Sequence, residues 1–324
     1  MSARGEVVFL SGATGFIGQH LYPRLIEEGF SVRCGTRSVE RAQRRFPDRL
    51  WVPFDVEDSQ LVRAALQGCD SAFYLVHQMG SGAGYHDRER KSAYRFRQAA
   101  ADHGLRRIVY LGGVEPGGAI SDHLSSRLET GCILRNGEVS AIELRASMII
   151  GAGSASWRIV RDLAARLPLM LLPKWTQSRT EPVYIDDVVE ALVGALRLQT
   201  SKSHRFDIPG PDRLTVEEIL RTTARVMGHD TVGLRVPLLS PELSSRWLRF
   251  VTRGDLFLAR ELVKGLKGDL LAEDDSYWEL IGHHDRVGFE DAVRRTLDGA
   301  EPESVAARGV ERLASWVGRS VGSP

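Results

Sequence analysis

The chain has 324 residues, 43% of them hydrophobic, enough to bury a large core in one α/β domain or in a domain plus a smaller lobe. Its 43 lysines and arginines against 42 acidic residues leave a net charge of +1, a field too weak to gather nucleic acid or an anionic membrane, so neither is an expected partner. The three cysteines, Cys34, Cys69 and Cys132, show no CxxC or Cys/His ligand spacing, which argues against a disulfide framework or a metal site and reads as reduced, buried thiols.

Met1–Arg4 run straight into the apolar Val7-Val8-Phe9-Leu10. No basic segment, long hydrophobic stretch and cleavage site follow one another there, and no apolar run is long enough to span a bilayer, so a cytoplasmic protein with no integral membrane part is expected. Val7–Leu10 predicts a buried strand, followed by a glycine-rich turn and a helix carried by Ile17, Leu21 and Leu25 that ends at Gly29. Phe30–Cys34 predicts a second strand and Val39–Phe46 a basic helix or turn with Arg41, Arg44 and Arg45 toward solvent. Leu50–Phe54 is a third strand, Asp58–Leu66 a short helix, and Ser71–Val76 a continuously apolar strand of the kind buried on both faces. After the glycine-rich Met79–Gly84 come a helix within Asp87–His103, a strand Arg107–Leu111, a helix near Ser125–Arg135 and a strand Ser140–Leu144. This alternation predicts an α/β fold with a Rossmann-type, doubly wound parallel sheet.

Beyond Gly153 the pattern loosens into a helix near Trp157–Arg166, proline-flanked segments from Leu167 to Trp175, and Val183–Leu198, where Asp186 and Asp187 are placed to cap a helix. From Gly210 the chain reads as helical at Val216–Met227, Pro241–Val251 and Leu256–Leu266, with little strand signal: a smaller, mainly helical C-terminal lobe. The expected division is a dinucleotide-binding domain at 1–154 and 177–209, a substrate-side lobe at 155–176 and 210–300, and a C-terminal helix and tail at 301–324 with Val305, Val310, Leu313 and Trp316 on one face. A homodimer is the default expectation for assembly.

The segment Ser11-Gly12-Ala13-Thr14-Gly15-Phe16-Ile17-Gly18 lies between the first strand and the first helix. Glycines there let a backbone approach a pyrophosphate at the positive end of a helix, so Gly12, Thr14, Gly15, Phe16, Ile17 and Gly18 are candidate cofactor contacts. At the end of the second strand the chain reads Gly35-Thr36-Arg37-Ser38, without the acid that would bind an adenosine ribose 2′-hydroxyl. Thr36, Arg37 and Ser38 suit a 2′-phosphate, so NADP(H) is expected over NAD(H); the alternative is that Arg37 is one more solvated arginine.

This loop, with Asp55 and Val56 following the third strand, resembles the extended short-chain dehydrogenase/reductases, in which that aspartate lies by the adenine ring. Leu144-Arg145-Ala146 followed by Ile149-Ile150-Gly151, and Val183-Tyr184-Ile185-Asp186-Asp187-Val188, resemble two further elements of the family, so that the likeness covers roughly the first 210 residues. More closely, Tyr74–Gly80, Tyr110-Leu111-Gly112-Gly113 and Pro173-Lys174-Trp175 with Arg179 resemble a bacterial NAD(P)H-binding branch akin to NmrA-like proteins and the nucleotide-binding accessory subunit of respiratory complex I. The resemblance implies that Leu75, Val76 and His77 border the nicotinamide ribose, with Gly112 nearby.

Ordinary members of the family work with serine, tyrosine and lysine. The matching positions here are Gly113, His123 and Arg127. Histidine can serve as an acid near neutral pH and an arginine can hold a ribose or an anion, so His123 and Arg127 are the candidate catalytic pair. The alternative makes His123 a surface residue and pairs Arg127 with Glu129 or a phosphate, and Tyr85, Tyr94 and Tyr184 are other proton donors by type. No metal-ligand spacing or GxSxG nucleophile motif occurs. Two functions stay open: an NADP(H)-dependent oxidoreductase acting on a small or medium apolar substrate, and a non-catalytic NADP(H)-binding sensor or assembly protein.

Overall fold

Fully buried Val8, Phe9 and Leu10 form the centre of strand β1 (Val7–Leu10) in the computed structural model, which describes residues 5–77, 84–118, 120–166, 169–172, 174–228, 232–235 and 268–299. The chain then alternates: α1 (Phe16–Glu27), β2 (Ser31–Thr36), α2 (Val39–Arg45), β3 (Leu50–Pro53), α3 (Ser59–Leu66), β4 (Ser71–Tyr74), α4 (Tyr85–Asp102), β5 (Arg107–Gly113), α5 (Asp122–Arg135) and β6 (Ser140–Ala146). After β7 (Ile149–Ile150), α6 (Ala155–Arg166), β8 (Leu169–Leu172), β9 (Arg179–Thr180), β10 (Val183–Tyr184) and α7 (Ile185–Arg197), the strand β11 (His204–Asp207) joins the edge of the same sheet.

The sheet has seven parallel strands in the order β11-β6-β5-β4-β1-β2-β3. From β1 the chain moves outward one way through β2 and β3, then returns to lay β4 on the other side of β1, in register Val8↔Ser71 and Leu10↔Phe73. That reversal opens a crevice at the carboxyl ends of β1 and β4, where this architecture binds ligands. One sheet face packs Leu21 and Leu25 of α1 with Val188 and Leu192 of α7. The other packs an aromatic cluster in which Phe9 lies 4.9 Å from Phe54 and Tyr74 lies 4.8 Å from Phe96, ring centre to ring centre.

The doubly wound sheet agrees with the sequence pattern, and several local expectations are corrected. Asp187 does not cap α7: Tyr184 holds the N-cap position, while the buried Asp187 carboxylate accepts from the Val287 backbone N–H at 3.0 Å and lies 2.8 Å from His283 Nε2. The region past Gly210 contains strands that its sequence hides: β12 (Leu214–Thr215) pairs antiparallel with β9, and β13 (Val232–Arg235) pairs parallel with β8. Strands of two to four residues show no period to read. Helix α8 (Val216–Val226) starts at a capping box, Thr215 with Glu218. Cys34 and Cys69 are buried as expected, but Cys132 is exposed, because it sits on the outer side of α5.

Helices α9 (Ser276–Ile281) and α10 (Phe289–Asp298) return to the body of the molecule. Tyr277 and Trp278 of α9 are buried, and their polar ends donate to the Ala191 carbonyl at 2.7 Å and the Pro209 carbonyl at 3.0 Å. The helices expected at 241–251, 256–266 and 302–317 lie outside the described residues. Among the described residues no helix is long and apolar enough to cross a membrane, and no group of three or more His, Cys, Asp or Glu is arranged to hold a metal ion.

Candidate cofactor and active site

The loop after β1 is fixed to β4 by Ser11, whose Oγ donates to the Phe73 carbonyl and accepts from the Leu75 N–H, each at 2.8 Å. Gly12 has φ +66°, and a Cβ there would stand 2.7 Å from the Leu75 carbonyl oxygen. Both its conformation and its space exclude a side chain. At Gly18 a Cβ would stand 2.4 Å from the Gly12 oxygen, so the first turn of α1 lies directly on the loop. Gly15 is the N-cap of α1 with no capping side chain, and no acid sits in the first turn. The backbone N–H groups of Phe16, Ile17 and Gly18 are therefore left, with the positive end of the helix, for an anion that can come close. Thr14 and Gly15 are exposed at the mouth of this cradle. A pyrophosphate fits what the loop offers.

The other predicted cofactor residues lie at the same edge of the sheet. After β2, Thr36 Oγ1 accepts from the Ser38 N–H at 3.2 Å, folding the chain back, and Arg37 is exposed with no ion pair among the described residues. After β3, half-buried Asp55 accepts from the Glu57 N–H at 2.9 Å and Val56 is buried. Leu75, Val76 and His77 are half-buried after β4. Gly112, near the end of β5, abuts buried Glu143, which Arg135 and Arg145 hold at 2.7 and 3.0 Å.

At the carboxyl end of β4 and the start of α5 the structure joins His77 to His123. His77 Nε2 and His123 Nδ1 are 3.1 Å apart, with ring centres separated by 4.6 Å. On its other side His77 Nδ1 lies 2.6 Å from Oε1 of Glu89, a carboxylate of α4 with 8% of its side chain exposed. Ser126 Oγ, from α5, donates to Glu89 Oε2. Arg127 is not paired with Glu129: its Nη2 donates to the Leu111 carbonyl at 2.5 Å, and its own carbonyl accepts from Tyr110 Oη at 3.1 Å, which binds the start of α5 to β5. A side chain at Gly113, the family's serine position, would meet Leu124 Cδ1 at 2.6 Å. Of the tyrosines named as alternative donors, Tyr94 is exposed and Tyr184 is buried beside Arg295.

Burial, the positive charge of Arg127 and the neighbouring His77 push His123 down to about 3. Burial also lowers His77, against the opposing pull of Glu89. Both rings are thus neutral at neutral pH. An unfolded chain takes up protons at histidine near pH 6.5, and the folded cluster takes up fewer, so its contribution to stability is fully present above that pH and drains away as pH falls toward the His123 value. From about pH 6.5 to about pH 5, urea unfolding should show the wild type losing about 2 kcal/mol more than His123→Gln, at about 1.4 kcal/mol per pH unit and proton. Equal losses would mean that His123 is solvated.

The segment that carries the loop, the strand ends and both histidines also carries the relationship: residues 12–161 match the family described as NAD(P)H-binding. That match covers 150 of the 324 residues. The ceramide reductase of Caulobacter vibrioides (strain NA1000 / CB15N) is 28% identical over 280 residues, 81% of this chain and 85% of that protein. NADH dehydrogenase [ubiquinone] 1 alpha subcomplex subunit 9, mitochondrial, from Arabidopsis thaliana is 23% identical over 234 residues, 67% of this chain and 57% of the relative. The similarity to a complex I subunit agrees with the resemblance read from Tyr74–Gly80 and Tyr110–Gly113. In fold, the triphenylmethane reductase of Citrobacter sp. superposes with a TM-score of 0.74 at 16% identity, covering 90% of this chain and 99% of that one.

Within the segment that matches this family, sequence reasoning missed Glu89 and Ser126. A signal was present. Glu89 falls on the stripe of α4 formed by Ala93, Phe96 and Ala100, all buried, so it is an acid placed where helical spacing calls for an apolar residue. Ser126 lies three positions after His123, on the same side of α5.

Proposed function

We propose that the protein is an NADP(H)-dependent reductase of an apolar carbonyl compound, with His123 delivering the proton to the substrate oxygen. The observation that carries this reading is the open end of the histidine pair: His123 Nδ1 is engaged by His77, while its Nε2 has no partner among the described residues, at the carboxyl edge of the sheet where the cradle lies. When bound, the nicotinamide supplies the hydride. The chain supplies the rest: the loop from Gly12 to Gly18 holds the pyrophosphate, the β4 end with Leu75 and Val76 borders the ribose, and Arg127 pins the start of α5. The ceramide reductase relative makes ketone-bearing lipids of the ceramide class the first substrates to offer, and these fit an apolar substrate held by the C-terminal lobe. The reading needs only cofactor and a small-molecule substrate as partners.

The test is NADPH consumption by purified protein with a panel of lipid, aryl and alkyl ketones. Steady oxidation coupled to loss of one ketone is the expected result; binding of NADPH without turnover of any member would overturn the reading. The coenzyme preference rests on Arg37, exposed and uncommitted after β2. Arg37→Asp should weaken NADPH binding by about 10- to 100-fold, the value of one charge-assisted pair, and leave NADH binding unchanged or stronger. Equal weakening of both coenzymes by fluorescence titration would remove Arg37 from that role.

A further inference from the structure

The row Ser126, Glu89, His77, His123 is continuous: each member is hydrogen-bonded to the next, and it ends on His123 Nε2, which has no partner among the described residues. Such a row has two complete arrangements of protons. With Glu89 ionised, His77 donates its Nδ1–H to Oε1, His123 donates its Nδ1–H to His77 Nε2, and His123 Nε2 carries a lone pair. One added proton reverses every bond. Glu89 then donates to His77 Nδ1, His77 donates its Nε2–H to His123 Nδ1, and His123 Nε2 carries a hydrogen. Ser126 can donate to Oε2 in both, which leaves Oε1 as the oxygen that serves His77.

We propose that Glu89 is the proton store of this site and His77 its conduit, so that each proton given up at His123 Nε2 is replaced from the Glu89 carboxyl while both rings exchange one neutral tautomer for the other. Its use in reduction rests on the reading above. The balance is closed: the His123 Nε2–H bond breaks as the O–H bond of the product forms, the His77 Nε2–H breaks as His123 Nδ1–H forms, and the Glu89 O–H breaks as His77 Nδ1–H forms. The row is left with a carboxylate, and water restores the proton at Nε2 after product leaves.

The charges around the row favour this route over an imidazolium. Arg127 from α5 and His86 from α4 face His123 along with His77 and Glu89, and the Arg127 charge repels a further positive charge there. A relay between neutral rings never creates one. Burial acts in the same direction, since it penalises every charged form.

The experiment is a nitrogen-resolved NMR titration of full-length protein labelled at histidine, from about pH 9 to about pH 5, with His77→Gln and His123→Gln used for assignment. The expected result is one shared step in which both rings pass from the Nδ1–H to the Nε2–H pattern. Glu89→Gln should abolish it, because an amide oxygen can accept from His77 Nδ1–H and cannot hand on a proton. Ser126→Ala should keep the step and move its midpoint upward, since one hydrogen bond to the carboxylate is lost. An imidazolium pattern on either ring of the wild type, a step that survives Glu89→Gln, or an unmoved midpoint in Ser126→Ala would overturn the proposal. A Glu89-dependent step in a protein that reduces no ketone would uphold the relay and sink the reductase reading.

Discussion

His123→Ala should lower turnover of a ketone substrate by about 10²–10⁴-fold, the usual loss when the group that moves a proton in the transition state is removed. NADPH binding should stay within about threefold of wild type, because the cradle at Gly12–Gly18 is anchored through Ser11 and β4 and makes no use of the ring. Fold retention is checked by thermal melting. His123 is half-buried and its hydrogen bond is to another neutral ring, so truncation leaves no charge stranded. Turnover within about twofold of wild type would remove His123 from the chemistry.

Gly15→Asp should have opposite effects on folding and on binding. Gly15 is exposed at the N-cap of α1, and a Cβ there meets only the Gly12 oxygen, at 3.1 Å. An aspartate suits an N-cap, where its oxygen accepts from the next turn and its charge faces the positive end of the helix, so thermal stability should be unchanged or slightly raised. The same carboxylate stands where the pyrophosphate must sit. Like charges about 4 Å apart near a surface repel by about 4 kcal/mol, which weakens dinucleotide binding by about a thousandfold. Calorimetry that found wild-type affinity in the folded variant would move the cofactor site away from this loop.

The outline of the fold was legible because its signals are local. The buried run Val7–Leu10, the glycines behind it and the helical spacing of Leu21 and Leu25 announce a strand, a tight loop and a helix, and the repeated alternation implies a parallel sheet. His123 and Arg127 were legible as replacements at positions where a related chain carries tyrosine and lysine. The pairing of His77 with His123 was not, since 46 residues separate them and only the adjacency of β4 and β5 brings them together. Glu89 was hidden by its polar neighbours Arg88 and Arg90. Asp187 misled for a related reason: the helix start offered a local use for the carboxylate, and tertiary structure spent it on residues about a hundred positions away, Val287 and His283.

The return of α9 to the body bears on how the molecule is made. Tyr277 and Trp278 seal the outer face of α7 and the end of β11, so a nascent chain on the ribosome completes its sheet long before the residues that cover it have left the exit tunnel. Until then Ala191, Pro209 and the apolar side chains around them face water, a surface for chaperones to hold. A gene trimmed to end before residue 268 would not yield a minimal dinucleotide-binding module. It would yield that unfinished intermediate, and aggregation on expression is its natural fate.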